Sequence, residues 1–126
     1  MTFAEAISTC LKKYADFKGR AARPEFWWFY LFAAIVNWGL MLTWISALSD
    51  PYNDSVPPGL ILSFVVGLAL LLPILATGVR RMHDTGKSGA ALFIALIPIV
   101  GTIILIVWLA TEGTPGPNQY GDKPAR

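Results

Sequence analysis

The chain has 126 residues, enough for one domain, and is 55% hydrophobic but only 14% charged, far from the balance of soluble domains. A formal charge of +2 excludes a general nucleic-acid binder, and no nucleic acid is expected as a partner. One cysteine, Cys10, and one histidine, His83, exclude a disulfide and the usual Cys/His zinc cluster, so no metal or cofactor is expected.

Taken in chain order, residues 2–16 come first. Phe3, Ile7, Cys10, Leu11 and Tyr14 recur at helical spacing, with Glu5, Thr9, Lys12 and Lys13 elsewhere around the wheel. This predicts a short amphipathic helix on the inner leaflet, or packed against the loop after the second apolar segment. Cys10 reads as one more small apolar residue of that stripe. Next, Pro24 and Glu25 mark a helix entry, with Trp27 and Trp28 at headgroup depth.

Three apolar segments follow, residues 26–48, 59–79 and 90–110, none holding a charged residue. At about 1.5 Å per residue each covers the roughly 30 Å hydrocarbon core, so each is predicted to span. The first is too long for a signal-peptide core and is expected to be retained. Asn37 lies at its middle, where an unpaired amide is costly, so the side chain should find a partner, as interhelical glue or as the lining of a pathway. Pro73 and Pro98 each deprive a carbonyl four residues earlier, Ala69 and Ile94, of its donor and should kink their helices; Gly101 should loosen the third further. The tail, residues 111–126, is rich in glycine and proline and is expected to be irregular.

Loop charge sets the orientation. Lys12, Lys13, Lys18, Arg20 and Arg23 precede the first segment, and Arg80, Arg81 and Lys87 lie between the second and third; the loop 49–58 holds Asp50 and Asp54 and no base. The positive-inside rule places the basic loops and the N-terminus in the cytoplasm, and three spans then place the C-terminal tail outside, in the periplasm. The fold expected is an all-α, multi-pass membrane protein forming one domain over residues 1–126.

No nucleophile, metal site or phosphate loop is legible. Gly86-Lys87-Ser88 resembles the end of a P-loop, but Arg81 stands where the motif needs glycine. The densest polar groups are a cytoplasmic set, Arg20, Arg23, Glu25, Arg80, Arg81, His83, Asp84 and Lys87. One reading makes them dipole partners, turn and cap; the other makes them a site for lipid headgroups or a protein partner. The two motifs should meet, setting Arg20, Arg23, Arg80 and Arg81 opposite Glu25 and Asp84.

Three motifs in order resemble the bacterial domain-of-unknown-function family 805. They are Phe17, Gly19, Arg20, Arg23, Glu25, Phe26 and Trp27; Arg80, Arg81, His83, Asp84, Gly86, Ser88 and Gly89; and Gly113, Gly116, Asn118, Tyr120 and Gly121. The resemblance implies a small helical protein of a bacterial inner (plasma) membrane and supplies no mechanism. Lys87 stands where arginine is common in that family, and Ala90 where tryptophan is common. The function expected is a non-enzymatic interaction or scaffold module, partnered by membrane lipids, anionic ones among them, by its own copies as a homo-oligomer, or by another membrane protein. The alternative is a lipid or small-solute binding or transport protein acting as an oligomer.

Overall fold

A computed structural model describes residues 2–52 and 54–124. Their regular structure is helical, apart from an isolated bridge between Asn118 and Gly121.

Helix α1, Phe3–Lys12, starts at Thr2, whose hydroxyl accepts from the Glu5 amide at 3.2 Å. Ala6 and Cys10 lie one turn apart on its inner face and are fully buried against α2 and α4. These small side chains let α1 approach closely, while the Phe3 ring meets Trp28 edge-on at 5.6 Å. The predicted amphipathic helix therefore docks on the other helices, leaving Leu11 exposed, with Phe3 and Tyr14, just beyond its end, partly exposed.

Helix α2, Arg23–Met41, has Pro24 in its first turn and buries Glu25, Phe29 and Ala33 at four-residue spacing against α4. It stops short of the expected 26–48. Three turn residues intervene before the four-residue α3, Ile45–Leu48. The indole of Trp44 donates to Ser63 at 2.8 Å and pins this corner to α4. Helix α4, Pro58–Asp84, has 27 residues and is the one helix among the described residues long and apolar enough to cross a membrane.

Two of the polar defects expected within these helices find partners inside the molecule. The carbonyl of Ala69, deprived of a donor by Pro73, accepts from the hydroxyl of Tyr14. The amide of Asn37 donates to Ala33 of its own helix at 2.9 Å rather than bonding across helices, and its oxygen faces Gly67 of α4. The i to i−4 carbonyl is simply the nearer acceptor.

The third apolar segment is not one helix. Residues Gly89–Leu96 form a 3-10 helix, and α5 covers Val100–Ala110. Between them Ile99 adopts φ 64° and ψ −67°, and the Val100 amide bonds the Pro98 carbonyl at 2.7 Å, a γ-turn of the strained hand. This replaces the expected continuous span over 90–110. Pro98 ends the first arm, the turn reverses direction, and the Ile94 carbonyl that Pro98 deprives accepts from Ile97 at 3.1 Å. Gly101 serves contact rather than looseness, since a Cβ there would lie 1.8 Å from the Ile94 oxygen. Both arms measure about 16 Å at their respective rises per residue.

Because the segment doubles back, α5 ends where the 3-10 helix begins, beside the C-terminal end of α4. Leu109 packs with Phe26 and Met82 in the core, flanked by Trp27, Leu92, Leu105 and Trp108. The tail therefore lies on the same end of the molecule as Arg80 to Lys87, with the Thr114 amide on the Asp84 carbonyl at 2.7 Å. This packing differs from the expectation of a tail on the opposite side from these residues. Residues 125 and 126 of the tail lie outside the described residues.

Candidate functional site

The most ordered chemistry in the molecule is at this shared end. Helix α4 runs on for several residues past its apolar stretch and delivers Arg80, Arg81 and Asp84 from its last turns. The chain entering α2 brings Arg20 and Glu25, and the tail lays its backbone carbonyls over them.

Asp84 is fully buried between two guanidinium groups. Its Oδ1 accepts from Arg20 Nε at 2.9 Å and Nη2 at 2.8 Å, and its Oδ2 accepts from Arg81 Nη1 at 2.5 Å. Arg20 also donates to the carbonyls of Gly116 (2.7 Å), Thr114 (2.7 Å) and Gly121 (3.2 Å). Arg81 gives Nε to Leu109 at 2.9 Å, Nη1 also to Ala21 at 3.1 Å, and Nη2 to the carbonyl of Thr111. Arg80 forms a second unit, with Nη1 on Glu25 at 3.0 Å, Nε on the Asp16 carbonyl at 3.0 Å and Nη2 on the Thr77 hydroxyl at 3.2 Å.

Among the described residues no buried side-chain nitrogen or oxygen lacks a partner. Burying five ionised groups is costly, and charge pairing with full hydrogen bonding is the condition under which they are tolerated. The planar forks of arginine suit this, because each can serve a carboxylate and several carbonyls at once. Gly113 is required by the same packing: a Cβ there would lie 2.0 Å from Asp84 Oδ2.

The remaining members of the predicted set stand apart from this cluster. His83 is half-buried, stacked on Tyr120 with centroids 3.9 Å apart, and its Nδ1 donates to the Gly19 carbonyl at 2.9 Å. The Asn118 amide donates to the His83 carbonyl at 2.9 Å, so the tail is held twice. Lys87 lies over the Trp108 ring at 5.4 Å. Arg23 is exposed, with one long bond of 3.4 Å to the Ala110 carbonyl. Cys10 touches the Glu25 carbonyl and the Thr77 hydroxyl, and burial pushes its thiol pKa up, which disfavours the reactive thiolate.

Sequence reasoning found the charges but missed the acceptors. The carbonyls of Ala21, Leu109, Thr111, Thr114, Gly116 and Gly121 complete the site, and carbonyls leave no mark in a sequence. The available signal was the third motif, in which Gly113, Gly116, Asn118, Tyr120 and Gly121 recur in a stretch otherwise read as irregular.

Long apolar helical surface gathered under a buried ionic end defines a small helical membrane protein. The chain belongs to the family described as Protein of unknown function (DUF805), whose profile matches residues 14–122. It is similar to "Inner membrane protein YhaI" of Escherichia coli (strain K12), at 42% identity over 115 residues covering 90% of each chain. "Inner membrane protein YhaH" of the same strain is 37% identical over 119 residues, 90% of this chain and 91% of the relative. "Uncharacterized protein YiiR" is 32% identical, covering 84% of both. No solved structure gives a significant match.

Proposed function

We propose that this protein is a non-enzymatic interaction module of a bacterial inner membrane, engaging another membrane protein or its own copies through its lipid-facing helices. The names of its relatives support the location. In this reading α4 spans alone, α2 crosses beside it over its 19 residues, about 28 Å, together with the corner at 42–48, and the 3-10 helix with α5 is a re-entrant hairpin. Its arms of about 16 Å reach roughly the midplane of a 30 Å core, and its tip residues Leu96, Ile99 and Val100 are apolar and exposed. Lys12, Lys13, Lys18, Arg23 and Lys87 at the shared end favour the cytoplasm for it, so the tail is cytoplasmic as well.

The observation that carries the functional reading is that all three arginines of the cluster are bonded within the chain. A clamp built this way holds the helix ends and the tail in fixed positions and, among the described residues, commits its buried side-chain donors to protein acceptors. What remains available is lateral: Ile61, Phe64, Leu68 and Leu72 form an exposed apolar ridge along α4. A photo-crosslinking residue at Leu68 in intact cells is expected to yield discrete protein adducts; lipid-sized adducts alone would overturn the reading. Topology is tested separately. With Cys10 replaced by serine, cysteine at Tyr52 should react with an impermeant reagent added outside, and cysteine at Thr85 or Gln119 should not. External labelling at Gln119 with protection at Thr85 would restore three crossings and remove the hairpin.

A further inference from the structure

We infer that the cleft between α2 and α5 binds one anionic phospholipid, with its phosphate on Arg23 and an acyl chain along Phe26, Tyr30, Leu105 and Leu109. The hairpin packs on α4, chiefly through its 3-10 arm, so α5 stands off from α2 and leaves an apolar cavity of 260 Å³ between them, with a second of 230 Å³ reaching in to α4 and the 3-10 arm. Both are lined by those four residues. The larger continues along α5 from Leu109 to Thr102, about 10 Å at the helical rise. That is a slot for a single chain, closed on one side by Trp27, whose indole donates to the Leu109 carbonyl at 3.3 Å.

The charge at its mouth identifies the occupant. Arg20, Arg80 and Arg81 are buried and committed to protein acceptors, so they cannot receive a headgroup. Arg23 differs from them in every respect: it is exposed, it touches the Ala110 carbonyl beside Leu109 through one nitrogen at 3.4 Å, and no ion pair joins it to an acid among the described residues. Glu25, the acid two residues on, is taken by Arg80. A guanidinium with open donors beside an apolar slot matches a phosphodiester joined to a hydrocarbon chain. This places Arg23 at headgroup depth and so rests on the membrane orientation proposed above.

The test is native mass spectrometry of the full chain, stripped of lipid and then exposed equally to phosphatidylglycerol and phosphatidylethanolamine. Wild type should retain one phosphatidylglycerol in preference. Arg23→Gln should lower that retention about tenfold while Lys18→Gln, which removes an exposed charge nearby, should leave it near wild type; delocalised attraction would weaken both equally, by about fivefold for each charge. Thr102→Trp, which fills the slot without touching the charge, should abolish retention of either lipid. Unchanged selectivity in Arg23→Gln, equal losses in Arg23→Gln and Lys18→Gln, or full retention in Thr102→Trp would each overturn the site. Thermal unfolding of each variant confirms that the fold is kept. The topology experiment reads a different quantity, so failure of the orientation is distinguishable from failure of the site.

Discussion

Asp84 is the residue on which most of the buried charge depends. Its two oxygens are shared by Arg20 and Arg81, and both guanidinium groups are buried. Asp84→Ala would leave two cations facing each other with carbonyls as their remaining acceptors, and should cost about 3–5 kcal/mol, the usual result of breaking a buried pair. Thermal unfolding in lipid bilayers measures this; a change below about 1 kcal/mol, the scale of an exposed pair, would mean that water reaches the cluster. Tyr14 offers a cleaner test because its role is created by another residue. Tyr14→Phe removes the donor to the Ala69 carbonyl and should cost about 1–3 kcal/mol. Pro73→Ala returns a backbone N–H to that same carbonyl. In the Pro73→Ala background Tyr14→Phe should therefore be nearly silent, and equal costs in both backgrounds would refute the coupling. The orphaned carbonyl was legible in the sequence, as was the need of Asn37 for a partner. The identity of the Tyr14 donor was not, because it depends on how α1 lies across α4, and the Asn37 partner turned out to be its own helix.

At the scale of the element, the hairpin shows why composition alone does not reveal a chain reversal. Residues 90–110 have the length and apolarity of a spanning helix, and helical periodicity carries no information about reversal when every face is apolar. What reverses the chain is local. Pro98 ends the 3-10 arm, Ile99 takes φ 64°, and Gly101 lets α5 pass against the Ile94 carbonyl. A β-branched residue in that conformation stores about 1–3 kcal/mol of strain. Ile99 is largely exposed, so Ile99→Gly loses little packing and should raise the unfolding temperature. Gly101→Ala should lower it, since its Cβ would meet the carbonyl of Ile94 at 1.8 Å. If the segment were instead a continuous helix, both signs would reverse, because alanine favours a helix interior and glycine weakens it by about 1 kcal/mol. Thermal unfolding of the two variants in lipid therefore distinguishes hairpin from span. Pro98 and Gly101 were both visible in the sequence as helix disruptors, but a kinked helix and a reversed one share that signature. The difference lies in one torsion angle at a residue that gives no warning.

For the whole molecule, the consequence of the reversal is that three distant stretches of chain close on one another. The Ala21 amide bonds the Arg80 carbonyl at 3.0 Å, the Thr114 amide bonds the Asp84 carbonyl, and Arg20 and Arg81 draw four carbonyls of residues 111–121 onto the α4 end. The tail has the composition of a flexible linker and no helix or named strand, so by sequence and by secondary structure it should exchange its amide hydrogens quickly. The contacts predict otherwise. The Thr114 amide can open only if the tail leaves Asp84, and that would uncover the Arg20 and Arg81 guanidinium groups together, at a cost comparable to unfolding the polar end. Thr114 should therefore exchange on the timescale of α4 amides in lipid, while the exposed amides of Asp50 and Tyr52, in the loop between α3 and α4, exchange fast. Asp84→Ala should release Thr114 toward the loop rate and leave the amides of the α4 midsection, far from the cluster, slow. Fast exchange at Thr114 in the wild type would mean that the tail is held by nothing stronger than its own turns. The arginines would then be open to the membrane surface, and the clamp would have to be abandoned as the organising feature of the fold.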